Sequence, residues 1–349
     1  MNVLFLSNIA TPYQLDFLEE MNKNENVNVY GYFLFAKEEN RDWALTMPEY
    51  VQVANYSNKS LDYSYFLKFI NNKKIDKIII GGYSLPLSIF TILISKIKKI
   101  NIYFWLERPI NEQIGIKKYL KELYLKVILN QAEAIFAIGK IAVKIYSKYH
   151  RSVFNLPYSM NLNNLYNIER TNNEKDEIRF LFSGQYIDRK NIINTINAFK
   201  AINNPNIELN LIGGGELQFE VSKLIKDDKR INDLGFIQPN ELVNIYANND
   251  IFLMPSRHDG WALVINEAMA SSMPIISTNR VGAVVEYIKH KENGYICSTT
   301  EKDIKNGIEY YIKNSNLIKR HGEFNKTIIG DSTADVRNAV KVLVKKLSE

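Results

Sequence analysis

The sequence predicts an α/β protein made of two doubly wound parallel-sheet domains in tandem. Three observations carry that expectation. In the first half, short β-rich runs alternate with amphipathic stretches. The alternation stops in an Asn- and charge-rich segment at residues 161–177, NLNNLYNIERTNNEKDE. It then restarts with the same rhythm. Strands that alternate with helices imply a parallel sheet covered on both faces.

The expected strands of the first half are Val3 to Ser7, Val27 to Phe33, Lys77 to Ile80, Ile102 to Leu106 and Ala134 to Ile138. Gln113 to Asn130 reads as a helix: Ile116, Leu120, Leu123 and Val127 follow the helical spacing, with Lys117, Lys118 and Lys121 off that stripe. The most apolar stretch, Tyr83 to Ser95, has 13 residues and contains Pro86. A membrane-spanning helix needs about 20 residues, so a buried helix is expected there. After the break, Arg179 to Ser183, Ile207 to Ile212, Ile251 to Met254 and Pro274 to Ser277 read as strands. Ile192 to Ala201, Leu242 to Ala247 and about Trp261 to Ala270 read as helices. From Asp331 the tail is one amphipathic helix striped by Val336, Val340, Leu343 and Leu347. The implied domains are 1–165 and 166–330, with a terminal helix at 331–349 that packs back on the first domain. Ligand is expected at strand C-termini, in the cleft between the domains.

Composition narrows the class. The chain has 349 residues, 46% hydrophobic and 23% charged, which suits two globular cores. The single cysteine, Cys297, precludes an intrachain disulfide or a thiolate metal cluster and fits a reducing compartment. The start, MNVLFLSNIATPYQ, lacks a basic n-region and reads as a first buried strand rather than a signal peptide. The expectation is a cytoplasmic protein, at most peripheral on the inner face of the cell membrane. The net charge of +6 is confined to residues 1–170, where 21 Lys and Arg face 15 Asp and Glu; beyond them the two classes are equal. That surplus is either ordinary solvation or attraction to an anionic membrane surface or acceptor.

The stretch IFLMPSRHDGWALVINEAMASSMPIISTNRVGAVVE, residues 251–286, carries the most chemistry. A strand, a polar loop and Gly260-Trp261-Ala262 lead into a helix that bears Glu267 on its second turn. A glycine before a helix N-terminus leaves free N–H groups at the positive end of the helix dipole, an anion site suited to a diphosphate. Asp259 and Glu267 frame it. Carboxylates repel phosphate but accept hydrogen bonds from vicinal hydroxyls, so a ribose and a hexose at the two ends of the diphosphate are their natural partners. The alternative makes Asp259 an N-cap and Glu267 a surface acid.

The run PSRHDGWALVINEAMASSMPII resembles the signature of the retaining, family-four GT-B glycosyltransferases, P-S-x-x-E-G-[FW]-G-x-x-x-x-E-A-[ML]-A-x-G-x-P-[VI]-[IV]. Pro255, Ser256, Gly260, Trp261, Glu267, Ala268, Met269, Ala270, Pro274 and Ile275 match. Further elements follow the family order: SGQYIDRKN at 183–191, LNLIGGGEL at 209–217, LGFIQPNELVNIYANND at 234–250 and VGAVVEYIKHKENGY at 281–295. The resemblance is strong over roughly 179–297 and only architectural before that. It implies a GT-B architecture of two Rossmann-like domains. It also implies sugar transfer from a nucleotide donor to a glycan or lipid-linked acceptor, with retention of configuration.

The same resemblance assigns roles. Glu267 would hold the donor ribose, and Asp259 would touch hydroxyls of the transferred sugar. Backbone amides of Gly260, Trp261, Ala262 and Leu263 would face that sugar and the diphosphate. Lys190 would neutralise the diphosphate and stabilise the departing nucleotide, and the Phe236-Ile237 segment would pair with the base edge. Gly184, Gln185, Gly214 and Arg257 complete the donor set. Four departures matter. Asp259 stands where the family has Glu, and Gln185 where it has Arg. Arg189 either restores the missing charge or is a solvated helix-start residue. Ala262 and Ser272 replace glycines, which implies a narrower donor pocket. No Asp-x-Asp motif is present, so neither a metal nor another cofactor is implied beyond the nucleotide-sugar co-substrate.

The acceptor half is less legible. Ala10-Thr11-Pro12-Tyr13-Gln14 stands where relatives often carry a glycine pair. FWLERP ends a strand with Glu107 and Arg108, and charge at a strand C-terminus in this fold points to ligand. Glu107 is the candidate to position or deprotonate the acceptor hydroxyl, unless it pairs with Arg108 to hold a loop. Tyr13 and Tyr83 are candidates for contact with an acceptor sugar. An oxidoreductase is disfavoured by the missing glycine fingerprint after the first strand. A nucleic-acid binder is disfavoured because the basic residues are not interleaved with aromatics. A non-catalytic nucleotide-sugar-binding or scaffold protein of the same fold is the rival from another class.

Overall fold

The structure, a computed structural model, describes residues 1–36, 46–57, 60–83, 85–109, 115–168, 177–238 and 241–349. They form two compact units, Met1–Asn161 with Val336–Glu349, and Leu162–Asp335.

The first unit is built from β1 (Asn2–Ile9), β2 (Asn28–Phe35), β3 (Val51–Val53), a separate antiparallel ribbon of β4 (Tyr56–Ser57) and β5 (Ser60–Leu61), β6 (Lys77–Ile80), β7 (Asn101–Leu106), β8 (Ala134–Ala137) and β9 (Val153–Asn155). Its seven-stranded parallel sheet runs β3-β2-β1-β6-β7-β8-β9. Successive side chains alternate between the two faces. Leu4 and Leu6 point to one face with Ile78, Ile80, Ile102 and Phe104, where helices Tyr63–Asn72, Pro86–Lys98, Ile116–Leu129 and Gly139–Tyr146 cover them. Phe5 points to the other, where its ring meets Trp105 at 5.5 Å and Trp105 meets Phe17 of helix Pro12–Asn22 at 4.8 Å. The terminal helix, Val336–Ser348, belongs to this unit: it packs on helix Pro12–Asn22, and Val336 N donates to Met160 O at 3.1 Å. Val336, Val340, Leu343 and Leu347 are all buried.

The second unit holds β10 (Ile178–Ser183), β11 (Ile207–Ile212), β12 (Ile231–Asp233), β13 (Ile251–Met254), β14 (Ile275–Thr278) and β15 (Gly294–Cys297), all parallel, in the order β12-β11-β10-β13-β14-β15. The chain steps outward from β10 to β12, then returns to the other side of β10 with β13. A sheet wound this way opens a crevice at the carboxyl ends of β10 and β13, where the loops diverge in opposite directions.

Several expectations are corrected. β3, β9, β12 and β15 carry no alternation of their own; they are short strands held by pairing to a longer neighbour. The terminal helix starts at Val336 rather than Asp331, because Asp331 ends helix Asn316–Asp331 and the Ser332 hydroxyl caps the Ile329 carbonyl at 2.8 Å. The apolar stretch at 83–95 forms helix Pro86–Lys98, but that helix is not buried all round: Ile89, Leu93 and Ile97 are exposed. In helix Ile116–Leu129 the expected stripe is also outward: Leu120, Leu123 and Val127 are exposed, while Leu125 and Leu129 face the sheet. At about 100° per residue these are opposite sides of one helix. Both sides are apolar, and the sheet takes only one. Residues 113–114 of that expected helix, the side chains of 116–118 (among them Ile116 of the expected stripe), residues 169–176 of the expected linker and residues 239–240 lie outside the described residues. No helix among the described residues is long and apolar enough to cross a membrane.

The glycine run after β11 is explained by close approach. A Cβ at Gly213, where φ is +141°, would lie 1.9 Å from Gly184 O, and one at Gly215 would lie 2.8 Å from Tyr186 O. These glycines let the β11 loop lie directly on the loop after β10, where Tyr186 N donates to Gly214 O at 2.8 Å. Gly214 itself has room, with only Gln218 Oε1 at 3.6 Å. Gly213→Ala should therefore lower stability by about 3 kcal/mol, the upper end for overpacking, and Gly214→Ala should change it by no more than about 1 kcal/mol. Urea unfolding of the two variants checks the contrast; equal losses would contradict it.

Candidate functional site

The predicted donor residues of the second unit gather at the carboxyl ends of its strands. Gly184 and Gln185 follow β10, Gly214 follows β11, Phe236 and Ile237 follow β12, and Arg257 to Leu263 follow β13. A short turn, Asp188–Lys190, then brings Lys190 back across the end of β13. Its Nζ donates to Asp259 Oδ2, and both side chains are nearly buried. Arg189 reaches the same carboxylate oxygen at 3.4 Å and the His258 carbonyl at 2.9 Å, with its side chain partly exposed. The Trp261 N–H donates to Asp259 Oδ1 at 3.2 Å. Burial pushes the Asp259 carboxyl up, but the Lys190 ammonium, as charge and as donor, outweighs it together with Arg189 and the Trp261 N–H. The carboxyl is held below its ordinary value.

Helix Leu263–Ala270 begins two residues later than expected because Ala262 is left-handed, with φ 71° and ψ 80°. That residue, without a side-chain cap, is the N-cap, so Asp259 does not cap the helix. The N–H groups of Gly260, Ala262 and Leu263 find no acceptor among the described residues. They lie at the positive end of the helix beside the Lys190 ammonium. The Trp261 indole is buried and meets the Tyr287 ring edge-on at 5.8 Å, so it anchors the loop while its backbone lies at the site. Ser272, the other residue at a family glycine position, also has positive φ, 56°. Both positions hold a conformation that costs an L residue about 1–2 kcal/mol.

Glu267 is not a surface acid. It is buried, with one oxygen accepting from the Tyr246 hydroxyl at 2.7 Å, and burial raises its pKa despite that bond. The Tyr246 hydroxyl also engages the Ser183 side chain at the end of β10. Sequence reading missed Tyr246, although it lies in the LVNIYANND run, because its partner is 21 residues away. Asn191 was missed too. Its left-handed backbone, φ 63°, turns the chain after Lys190, and its amide donates to the carbonyls of Pro255 at 3.1 Å and Thr299 at 2.9 Å. Those bonds pin Lys190 to the end of β13. Phe236 is half exposed beside left-handed Gly235, Ile237 is half-buried, and Arg257 pairs with Asp188 at 3.4 Å.

In the first unit, Glu107 and Arg108 follow β7 and are half-buried. Tyr158 hydrogen-bonds both Glu107 and Tyr13 through its side chain, and its ring lies 4.9 Å from that of Tyr13. Burial first, then Tyr13 and Glu107, hold the Tyr158 phenol well above its ordinary pKa, so it stays protonated. Tyr146 donates to the Glu107 carbonyl at 2.7 Å and engages the Tyr83 hydroxyl. Tyr13, Tyr83 and Glu107 are thus joined through Tyr158 and Tyr146, neither of which the sequence singled out.

The two acids of the second unit make opposite stability claims. Asp259 has a depressed folded pKa, so its contribution is present above its unfolded value of 3.8 and is lost as pH falls through the folded pKa. Asp259→Asn strands a nearly buried ammonium and should cost about 3 kcal/mol at pH 7, the loss shrinking in acid. Glu267 has a raised folded pKa, so once ionised it opposes folding. Glu267→Gln should stabilise the ligand-free protein at pH 7, with the gain vanishing as pH falls to the unfolded value of 4.5. Denaturant unfolding of both variants from pH 4 to 8 checks the signs.

Residues 166–327 match the family model described as Glycosyl transferases group 1. An uncharacterized glycosyltransferase of Haemophilus influenzae is 31% identical over 34% of this chain, and the match spans 32% of that protein. The alpha-monoglucosyldiacylglycerol synthase of Acholeplasma laidlawii is 28% identical over 49% of this chain and 41% of its own length. The chain thus spans less than half the length of either relative. Among solved structures, Anabaena Alr3699/HepE in complex with UDP superposes with a TM-score of 0.77 at 15% identity, covering 100% of both chains. The chain therefore has the GT-B fold, and its second unit is similar to the group 1 glycosyl transferases over residues 166–327.

Proposed function

We propose that the protein is a retaining glycosyltransferase that moves a hexosyl group from a nucleoside diphosphate sugar to a hydroxyl of a glycan or lipid-linked acceptor. The observation that carries this reading is the Lys190–Asp259 pair, set at the point where the strand order reverses and beside a helix N-terminus with undonated N–H groups. The Acholeplasma relative is named for a diacylglycerol glycolipid, and the Anabaena structure was obtained with UDP. Both support the reading, and with it a place in surface polysaccharide or glycolipid assembly on the cytoplasmic face.

In this reading the diphosphate lies against the N–H groups of Gly260, Ala262 and Leu263, and Lys190 exchanges part of its contact with Asp259 for a phosphate oxygen. Asp259 then faces hydroxyls of the transferred sugar, while buried Glu267 accepts from the ribose. The bond between the anomeric carbon and the diphosphate oxygen breaks. The acceptor oxygen bonds to that carbon on the same face, and its proton passes to the departing diphosphate. Fixed donors aimed at that developing charge supply the stabilisation, so no divalent cation is required. On the first unit, Glu107, held by Tyr158, is assigned to orient the acceptor hydroxyl.

Two measurements test this. Proton NMR should show that the product keeps the donor's anomeric configuration with and without EDTA; an inverted product overturns the mechanism. In calorimetry, Glu267→Gln should weaken the free nucleoside diphosphate roughly tenfold or more, the equivalent of about 1.5–3 kcal/mol for a hydrogen bond to a charged group. Asp259→Ala should leave that affinity intact, because it releases Lys190, and should abolish transfer. Equal weakening by both variants would contradict the assigned roles.

A further inference from the structure

Two consecutive crossover helices of the first unit are apolar on the side that faces away from the sheet. Pro86–Lys98 buries Leu87 and Ile92, yet much of its core-facing side is polar and its outer side apolar. Ser88, Thr91 and Ser95 face the core at no more than 2% exposure, whereas Leu93 and Ile97 are 57% and 77% exposed. Ile89, Leu93 and Ile97 repeat every fourth residue and form one outward stripe. The neighbouring crossover, Ile116–Leu129, presents Leu120, Leu123 and Val127 outward, each more than half exposed. Both helices pack on the same core cluster, and the Tyr124 hydroxyl donates to the Tyr83 carbonyl at 2.7 Å, tying the second helix to the approach of the first. A soluble surface helix puts its large aliphatic residues inside; contiguous exposed ones mark an interaction site.

The charge around these stripes selects the partner. Residues 86–99 and 119–129 together hold five lysines against one acid, Glu122. Lys96, Lys98, Lys99 and Lys126 are exposed. A second copy of this chain is a poor occupant, because a two-fold contact would set the same lysine-rich patch against itself. Exposed aliphatic side chains rimmed by lysines match a surface with an anionic layer above an apolar one.

We propose that the paired helices Pro86–Lys98 and Ile116–Leu129 form a docking face that lies in the interface of an anionic lipid bilayer, with Leu93, Ile97, Leu120 and Leu123 entering its apolar layer. The inference is independent of the reaction proposed above. It differs from diffuse attraction of a basic domain, because apolar insertion makes part of the binding resistant to salt.

The test is sedimentation of the full chain with vesicles of phosphatidylcholine alone and with phosphatidylglycerol admixed. Wild type should bind only the anionic vesicles and retain a fraction in high salt. The variant Leu93→Gln, Ile97→Gln, Leu120→Gln, Leu123→Gln alters only exposed side chains. It should bind at least tenfold more weakly at unchanged net charge, and its far-UV circular dichroism should match wild type. Lys96→Gln, Lys99→Gln, Lys126→Gln should weaken binding at low salt and leave the salt-resistant fraction proportionally larger. Wild-type binding unchanged in the first variant overturns the proposal. So does absence of binding to either vesicle, or a concentration-dependent dimer that the first variant abolishes.

Discussion

The second unit of this protein is organised around one nearly buried ion pair, Lys190 with Asp259. Holding two opposite charges out of water is costly unless each is fully engaged, and the surrounding chain is arranged to engage them. Arg189 shares the carboxylate, the Trp261 N–H takes its second oxygen, and Asn191 fixes the turn that carries the lysine. In the proposed reaction, the pair would supply a positive charge of fixed position with a partner that a phosphate can replace.

The fold supplies the place for this pair. Lys190 follows β10 and Asp259 follows β13, strands that are neighbours in space though the chain visits two others between them. The two residues are 69 positions apart and meet only because the strand order reverses there. Packing around the loop is correspondingly tight: a Cβ on Gly282 would lie 2.1 Å from Gly260 O, so the loop rests directly on the start of helix Gly282–Tyr287, which follows β14. The site's rigidity therefore comes from backbone-to-backbone contact, and side chains such as Trp261 finish it. In the first unit a different device operates, a hydroxyl network in which Tyr158 and Tyr146 hold Glu107 from two sides.

What the sequence revealed follows the range of the forces involved. Central strands such as β6 and β13 were legible because burial on both faces imposes an apolar run within the strand itself. Short strands such as β12 were not, because their hydrogen bonds come from a neighbour and leave no local pattern. The motif residues were legible, and so were the helix N-terminus and Lys190. The partners that set their chemistry were hidden by distance along the chain: Tyr246 for Glu267, Tyr158 for Glu107 and Lys190 for Asp259. A short apolar run located Pro86–Lys98 and was read as buried, and helical spacing located Ile116–Leu129, but neither signal says which apolar side meets the sheet. A hydrophobic stripe records which side avoids water, and it does not say whether the sheet or something outside the protein covers it.

In the proposed reaction, Lys190 is the charge that meets the donor diphosphate. Calorimetric titration of Lys190→Met with a nucleoside diphosphate and with the corresponding nucleoside tests it directly. Loss of a charge-assisted bond of about 1.5–3 kcal/mol predicts that the diphosphate binds roughly ten- to a hundredfold more weakly than to wild type, while the nucleoside is unaffected. If both ligands weaken equally, or neither does, Lys190 serves only to hold Asp259 in place and the account of the site is wrong.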